Sequence, residues 1–125
     1  MLHEIRKHLI EVARTRRTCT YTELNNQLQL NLNFDNSLDR KHIGDWLGDI
    51  SLHEYDNERP LISALVIHKA NDKEQGDGFY KLCQEIYGDN WESLKRDKTF
   101  EKRIIDECHE FWTDVKNYKD FSNDY

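Results

Sequence analysis

The chain has 125 residues, of which 37% are hydrophobic and 34% are charged, a composition typical of one polar, soluble domain with a modest core. Lysine and arginine number 18 against 24 aspartates and glutamates, and the formal net charge of -6 excludes a wholly cationic surface for nucleic acid or anionic lipid. One proline and five glycines argue against disorder and against a sandwich of many short turns.

No segment of the sequence indicates a membrane span or a signal peptide. No run approaches the ~20 apolar residues of a membrane helix, and charges interrupt the apolar residues of the N-terminus. Cys19, Cys83 and Cys108 are widely spaced, without a CxxC pair or a Cys/His tetrad. We therefore expect three reduced thiols in a cytoplasmic protein, with no disulfide, no metal site and no cofactor.

The N-terminal third of the chain predicts a helix, a short strand and a second helix. Apolar residues recur at helical spacing over residues 2–16. Residues 18–21 are β-branched and aromatic, which suits an extended segment. Thr22 is a candidate N-cap of a short helix, and the Asn-rich stretch 29–37 reads as a loop after it.

A third helix follows, for which Ser37 is a candidate N-cap. Gly44 and Gly48 lie one turn apart in it, and their lack of side chains would permit close packing. One face of this helix carries the apolar residues Ile43, Trp46, Leu47 and Ile50.

The middle of the chain predicts a β-hairpin. Residues 61–67 form a continuous apolar run after Arg59-Pro60, typical of a strand covered on both faces. A polar, Gly-containing turn over 70–78 separates this run from Phe79-Tyr80, which we expect to return as a second short strand.

Two further helices complete the prediction, a short one over 82–87 and a long one over 100–118. The apolar stripe of the long helix is too wide for a single neighbour. Either the helix spans the core, or its surplus forms a homodimer or partner interface. We expect one domain over 1–120 and a frayed tail at 121–125. The fold class is therefore α+β, mainly helical: a winged helix-turn-helix with a small β-hairpin and an added long C-terminal helix.

Short motifs in this order resemble a known family. Tyr21-Thr22-Glu23-Leu24 opens the second helix, Lys41-His42-Ile43-Gly44 lies in the third, and Gly76 to Tyr80 forms a Gly-containing turn that ends in an aromatic residue. Together the stretch from Arg14 to Tyr80 resembles the winged-helix DNA-binding domain of alkylguanine-DNA alkyltransferases and alkyltransferase-like proteins. The resemblance implies DNA binding through the third helix.

The alkyltransferase resemblance does not extend to catalysis. Those enzymes carry Pro-Cys-His-Arg at the end of the strand, with the Cys thiolate as alkyl acceptor. Here the corresponding stretch, residues 62–66, is Ile-Ser-Ala-Leu-Val, so alkyl transfer is excluded. With no other catalytic motif present, we expect a protein that is not an enzyme. The family's base-extruding Arg falls on Lys41, beside Arg40.

Two kinds of partner fit the charge pattern, and the sequence leaves both open. The first is DNA, contacted at phosphates and base edges; the candidate residues are Arg17, Arg40, Lys41, His42, Lys69 and Lys73. The second is a basic protein, bound as an inhibitor or immunity-type protein binds its partner. Residues 21–60 carry eight acidic and three basic residues, and the candidate contacts on this acidic helix are Asp45, Asp49 and Glu54.

Overall fold

The computed structural model describes residues 2–68 and 77–125. In chain order the elements are α1 (Leu2–Arg14), β1 (Cys19–Thr20), α2 (Tyr21–Gln27), α3 (Ser37–Asp56), a 3-10 helix (Ile62–Leu65), β2 (Val66–Ile67), α4 (Asp77–Tyr87), α5 (Trp91–Arg96), α6 (Lys98–Thr113) and α7 (Val115–Phe121). The predicted class, α+β and mainly helical, is confirmed.

The two described strands form a parallel pair rather than a hairpin. Cys19 pairs with Val66 and Thr20 pairs with Ile67. Parallel pairing requires a long connection, which α2 and α3 supply here. The strand predicted over 61–67 is confined to its last two residues, because Ile62–Leu65 forms a buried 3-10 helix instead.

The second predicted strand is wrong, because Phe79-Tyr80 lies in α4. Phe79, Tyr80 and Cys83 are all buried in the same core cluster. Their spacing is helical rather than alternating, so all three lie on one side of the helix. The turn predicted over 70–78 falls almost wholly outside the described residues.

Two apolar clusters form the core. The larger joins α1, α2, α3 and the 3-10 helix with Cys108 and Trp112 of α6. The smaller joins α4, α5 and the first half of α6, with Leu61 and Ala64 also in it. Because α6 contributes to both clusters, most of its wide apolar stripe packs within this chain.

The long helix predicted over 100–118 divides at Asp114. This residue is the N-cap of α7, and its side chain accepts a hydrogen bond from the Asn117 backbone N–H. Val115, immediately after the break, is 81% exposed. The homodimer interface expected from the stripe stays a prediction. None of the described helices is both long and apolar enough to cross a membrane.

A buried ionic cluster joins the N-terminal helix to α3. The Glu54 carboxylate accepts hydrogen bonds from Arg6 at 3.0 Å and from Arg59 at 3.0 Å, and all three side chains are nearly inaccessible to water. The prediction that Glu54 belongs to an exposed acidic face is therefore wrong. Two cations surround this one carboxylate, and their charge offsets the cost of burying it.

The tail predicted to fray makes contacts with this cluster. Arg6 donates to the backbone carbonyls of Phe121 and Ser122, each at 2.9 Å, and Arg59 donates to Asp124 at 2.9 Å. These bonds tie the last residues to the cluster at Glu54.

Candidate nucleic-acid interface

An open groove of about 1140 Å³ runs along α3 from Arg40 to Leu52 and faces α4. We call it the aromatic–basic groove. Its described lining includes three rings, Tyr21, Phe34 and His68, and four cations, Arg40, Lys41, Lys81 and Lys95.

The two α3 glycines leave this groove open. A Cβ built on Gly44 or Gly48 would meet no atom within 4 Å, so the close packing that these glycines permit is not used by the described residues. Both glycines line the groove, and the α3 backbone is therefore accessible along one full helical turn.

The aromatic end of the groove is built by the parallel strand pair. Tyr21 directly follows β1 and His68 directly follows β2, so the pairing of the strands places the two rings side by side. Their centroids lie 5.0 Å apart with the planes tilted by 33°. Phe34, from the loop before α3, meets Tyr21 edge-on at 6.3 Å. The His68 side chain is exposed.

The cations of α3 lie beside this aromatic end. Arg40 is exposed and donates to the Phe34 backbone carbonyl at 2.6 Å, which holds its guanidinium at the loop that carries the Phe34 ring. Lys41 is 70% exposed and donates to Asp45 one turn later at 2.8 Å. This hydrogen bond to Asp45 raises the pKa of Lys41. An exposed pair of this kind contributes little stability, so a phosphate can replace the carboxylate.

Of the other residues predicted to contact nucleic acid, the two that the structure describes lie apart from the groove. His42 is exposed on a neighbouring face of α3, with its ring 6.1 Å from that of Trp46. Arg17 lies after α1 and donates to the Thr15 hydroxyl at 2.8 Å. Lys69 and Lys73 lie outside the described residues. Among the predicted residues that the structure describes, Arg40 and Lys41 line the groove.

Two groove cations were missed by the sequence interpretation, because they follow the segment assigned to a hairpin. Lys81 of α4 lies 5.1 Å from the Trp91 ring. Lys95 of α5 donates to Asp77 at 2.6 Å. The helical spacing of apolar residues from Phe79 onward is the signal that could have placed Lys81 on a helix.

Carboxylates share the groove with the cations. Asp45, Asp49, Asp77 and Glu85 line it, so the described lining holds as many carboxylates as cations. Phosphate attraction is therefore limited. Carboxylates are also acceptors for base amino groups, so this mixture suits a ligand that presents both phosphates and amino groups.

The Ser63 hydroxyl and the three cysteine thiols are candidate nucleophiles, and all of them are buried. Ser63, in the stretch that corresponds to the alkyltransferase motif, is 5% exposed, and its hydroxyl lies 2.6 Å from that of Ser51. All three thiols are buried; burial raises the pKa of Cys19 and of Cys83 to about 12 and raises that of Cys108 as well. In residues 2–68 and 77–125, no three His, Cys, Asp or Glu side chains are grouped as a metal site requires.

Comparisons of the chain with protein-family models, curated proteins and solved structures find no match. The resemblance to the alkyltransferases therefore stays a prediction.

Proposed function

We propose that this chain binds nucleic acid in the aromatic–basic groove, without catalysing a reaction on it. One observation carries the proposal: the Tyr21–His68 ring pair lines the same groove as Arg40 and Lys41, which lie near the start of a 20-residue helix with an open face. An unpaired base stacks on the rings, and the two cations hold its flanking phosphates.

Stacking suits this ligand because every base presents a π-face. A base stacked on an aromatic side chain gains about 1–3 kcal/mol regardless of its sequence. The exposed His68 ring offers such a surface; it packs against Tyr21, and Phe34 meets Tyr21 edge-on. A base inside a duplex cannot reach these rings, so single strands are expected to bind more tightly than duplexes.

The charge of the protein limits the affinity. With a net charge of -6 and carboxylates in the groove, only two or three phosphates are neutralised. Counterion release from a single strand scales with that number, so the slope of log affinity against log salt is about -2 for three phosphates. Binding is therefore modest and is seen most readily at low ionic strength.

The proposal is tested by fluorescence anisotropy with a short, labelled, mixed-sequence single strand and the matching duplex, each at several salt concentrations. Arg40→Ala/Lys41→Ala is expected to reduce the magnitude of the salt slope by about 1.4. His68→Ala is expected to weaken binding of the single strand by about tenfold while leaving the slope unchanged, since stacking involves no counterion.

A matched control comes from α6 and α7. Lys102 and Lys116 each make an exposed pair with a carboxylate one turn later, as Lys41 does. Lys102→Ala/Lys116→Ala removes the same charge as the groove variant. Equal losses in the two double variants, or no binding to either oligonucleotide at low salt, would overturn the proposal.

A further inference from the structure

A second groove, of about 890 Å³, lies at the C-terminal end of α3. We call it the acidic–aromatic groove. Its lining comes from the end of α3, the segment after it, the end of α4 and the last turns of α6: Tyr55, Asp56, Glu58, Arg59, Pro60, Tyr87, Glu107, Glu110 and Phe111. None of these residues lines the aromatic–basic groove.

Two tyrosines give this groove an exposed aromatic surface. Tyr55 is 42% exposed and Tyr87 is 44% exposed. Their ring centroids lie 6.2 Å apart and the planes are perpendicular. Tyr87 is held from its other side by Phe100, edge-on at 6.5 Å. A cation that approaches this pair meets the face of at least one ring, the arrangement that cation–π attraction requires.

Four carboxylates surround the rings: Asp56, Glu58, Glu107 and Glu110. The one cation of the described lining, Arg59, is already bonded on two sides, to Glu54 at 3.0 Å and to Asp124 at 2.9 Å. Arg103 lies 3.9 Å from Glu107, where both side chains remain about half exposed or more. The groove therefore retains a net negative charge.

The helix backbones add to the negative electrostatic potential of this groove. α3 ends at Asp56 and α4 ends at Tyr87, so the C-termini of both helices lie at the groove, and Glu110 belongs to the last turn of α6. A helix C-terminus carries a partial negative charge that favours cations. The rings, the carboxylates and the helix C-termini thus all favour a positively charged ligand.

We propose that the acidic–aromatic groove binds a lysine- or arginine-bearing segment of a protein partner. A side-chain cation of that segment lies against Tyr55 and Tyr87, and its neighbouring cations pair with Glu107 and Glu110. Charge complementarity identifies the occupant, because two apolar rings alone would not distinguish among peptides. This site is separate from the nucleic-acid function, so a partner could bind while the other groove is occupied.

The test titrates the full chain with a fluorescein-labelled short peptide that alternates lysine and serine, with a glutamate–serine peptide of the same length beside it. The lysine peptide is expected to bind and the glutamate peptide is not. Glu107→Gln/Glu110→Gln is expected to weaken binding of the lysine peptide by about tenfold. Tyr55→Leu/Tyr87→Leu keeps the apolar bulk but removes the π-faces. This variant is expected to weaken binding of the lysine peptide by about fivefold.

The control for charge is Glu4→Gln/Glu92→Gln, which neutralises two exposed carboxylates that do not line the groove. Thermal melts by circular dichroism establish that each variant is folded. Changes in amide chemical shifts on addition of the lysine peptide locate its binding site, and we expect these changes near Tyr55 and Glu110. Unchanged affinity in the tyrosine variant, equal losses in the control, or shifts elsewhere would overturn the proposal. Arg40→Ala/Lys41→Ala is expected to leave peptide affinity unchanged, which separates this site from the proposed function.

Discussion

Replacing Glu54 with glutamine is expected to destabilise the fold severely. The carboxylate accepts from Arg6 at 3.0 and 3.3 Å and from Arg59 at 3.0 and 3.1 Å. Glutamine keeps the shape but loses the charge, and its amide N–H groups face guanidinium donors. Arg6 would then lack a counter-charge, and Arg59 would keep only the Asp124 carboxylate. Breaking a buried ion pair on one side costs about 3–5 kcal/mol, against a total stability of about 5–15 kcal/mol for a typical domain.

Urea denaturation followed by circular dichroism measures this loss directly, and thermal melts give a second readout. For a chain of this size, 1 kcal/mol corresponds to about 3–5 °C in Tm, so a decrease of about 10–20 °C is expected. Glu58→Gln is the control, since this exposed glutamate lies four residues further on and its replacement should change the free energy of unfolding by less than about 0.5 kcal/mol. A loss below about 1 kcal/mol for Glu54→Gln would refute the reasoning, because the two guanidiniums would then not depend on this carboxylate.

Three further predictions follow from the same structure. Gly44→Ala and Gly48→Ala are each expected to raise the free energy of unfolding by up to about 1 kcal/mol, because a helix favours alanine and the added Cβ meets open space; the same substitutions should weaken oligonucleotide binding in the anisotropy assay. Ser51→Ala leaves a buried backbone N–H without its acceptor and should cost about 1–3 kcal/mol in urea denaturation. The hydrogen bond from Arg59 lowers the pKa of Asp124 below its ordinary value of 3.8, so wild type should be more stable than Asp124→Asn at neutral pH. The difference should begin to shrink as the pH falls below 3.8 and should be lost as the pH falls through the lowered pKa of the folded state.

Helical periodicity predicted the N-terminal half of the fold well. The helices observed at Leu2–Arg14 and Ser37–Asp56 follow the apolar spacing, because burial of one face decides both. The segment Phe79-Tyr80 was misassigned because two adjacent apolar residues fit a strand and a helix equally, and the register with Cys83 decides between them. The helix break at Asp114 was also not predicted. The apolar spacing continues across Asp114, so the sequence pattern alone does not show that this residue ends one helix and caps the next.

The sites were harder to predict than the helices. Arg40 and Lys41 could be recognised as candidate contacts because they open an amphipathic helix. The ring pair could not, since Tyr21 and His68 are distant in sequence and meet only through parallel pairing of two short strands. Glu54 was assigned to the surface because it is charged, whereas two arginines from other elements allow it to be buried.

The most direct test of the nucleic-acid proposal is an amide chemical-shift titration of the labelled protein with the short single strand at low salt. Binding as proposed predicts salt-sensitive shifts at Tyr21, His68 and the first two turns of α3, with the last turn of α3 unmoved. Shifts confined to other surfaces, or none at saturating oligonucleotide, would contradict the assignment of the aromatic–basic groove.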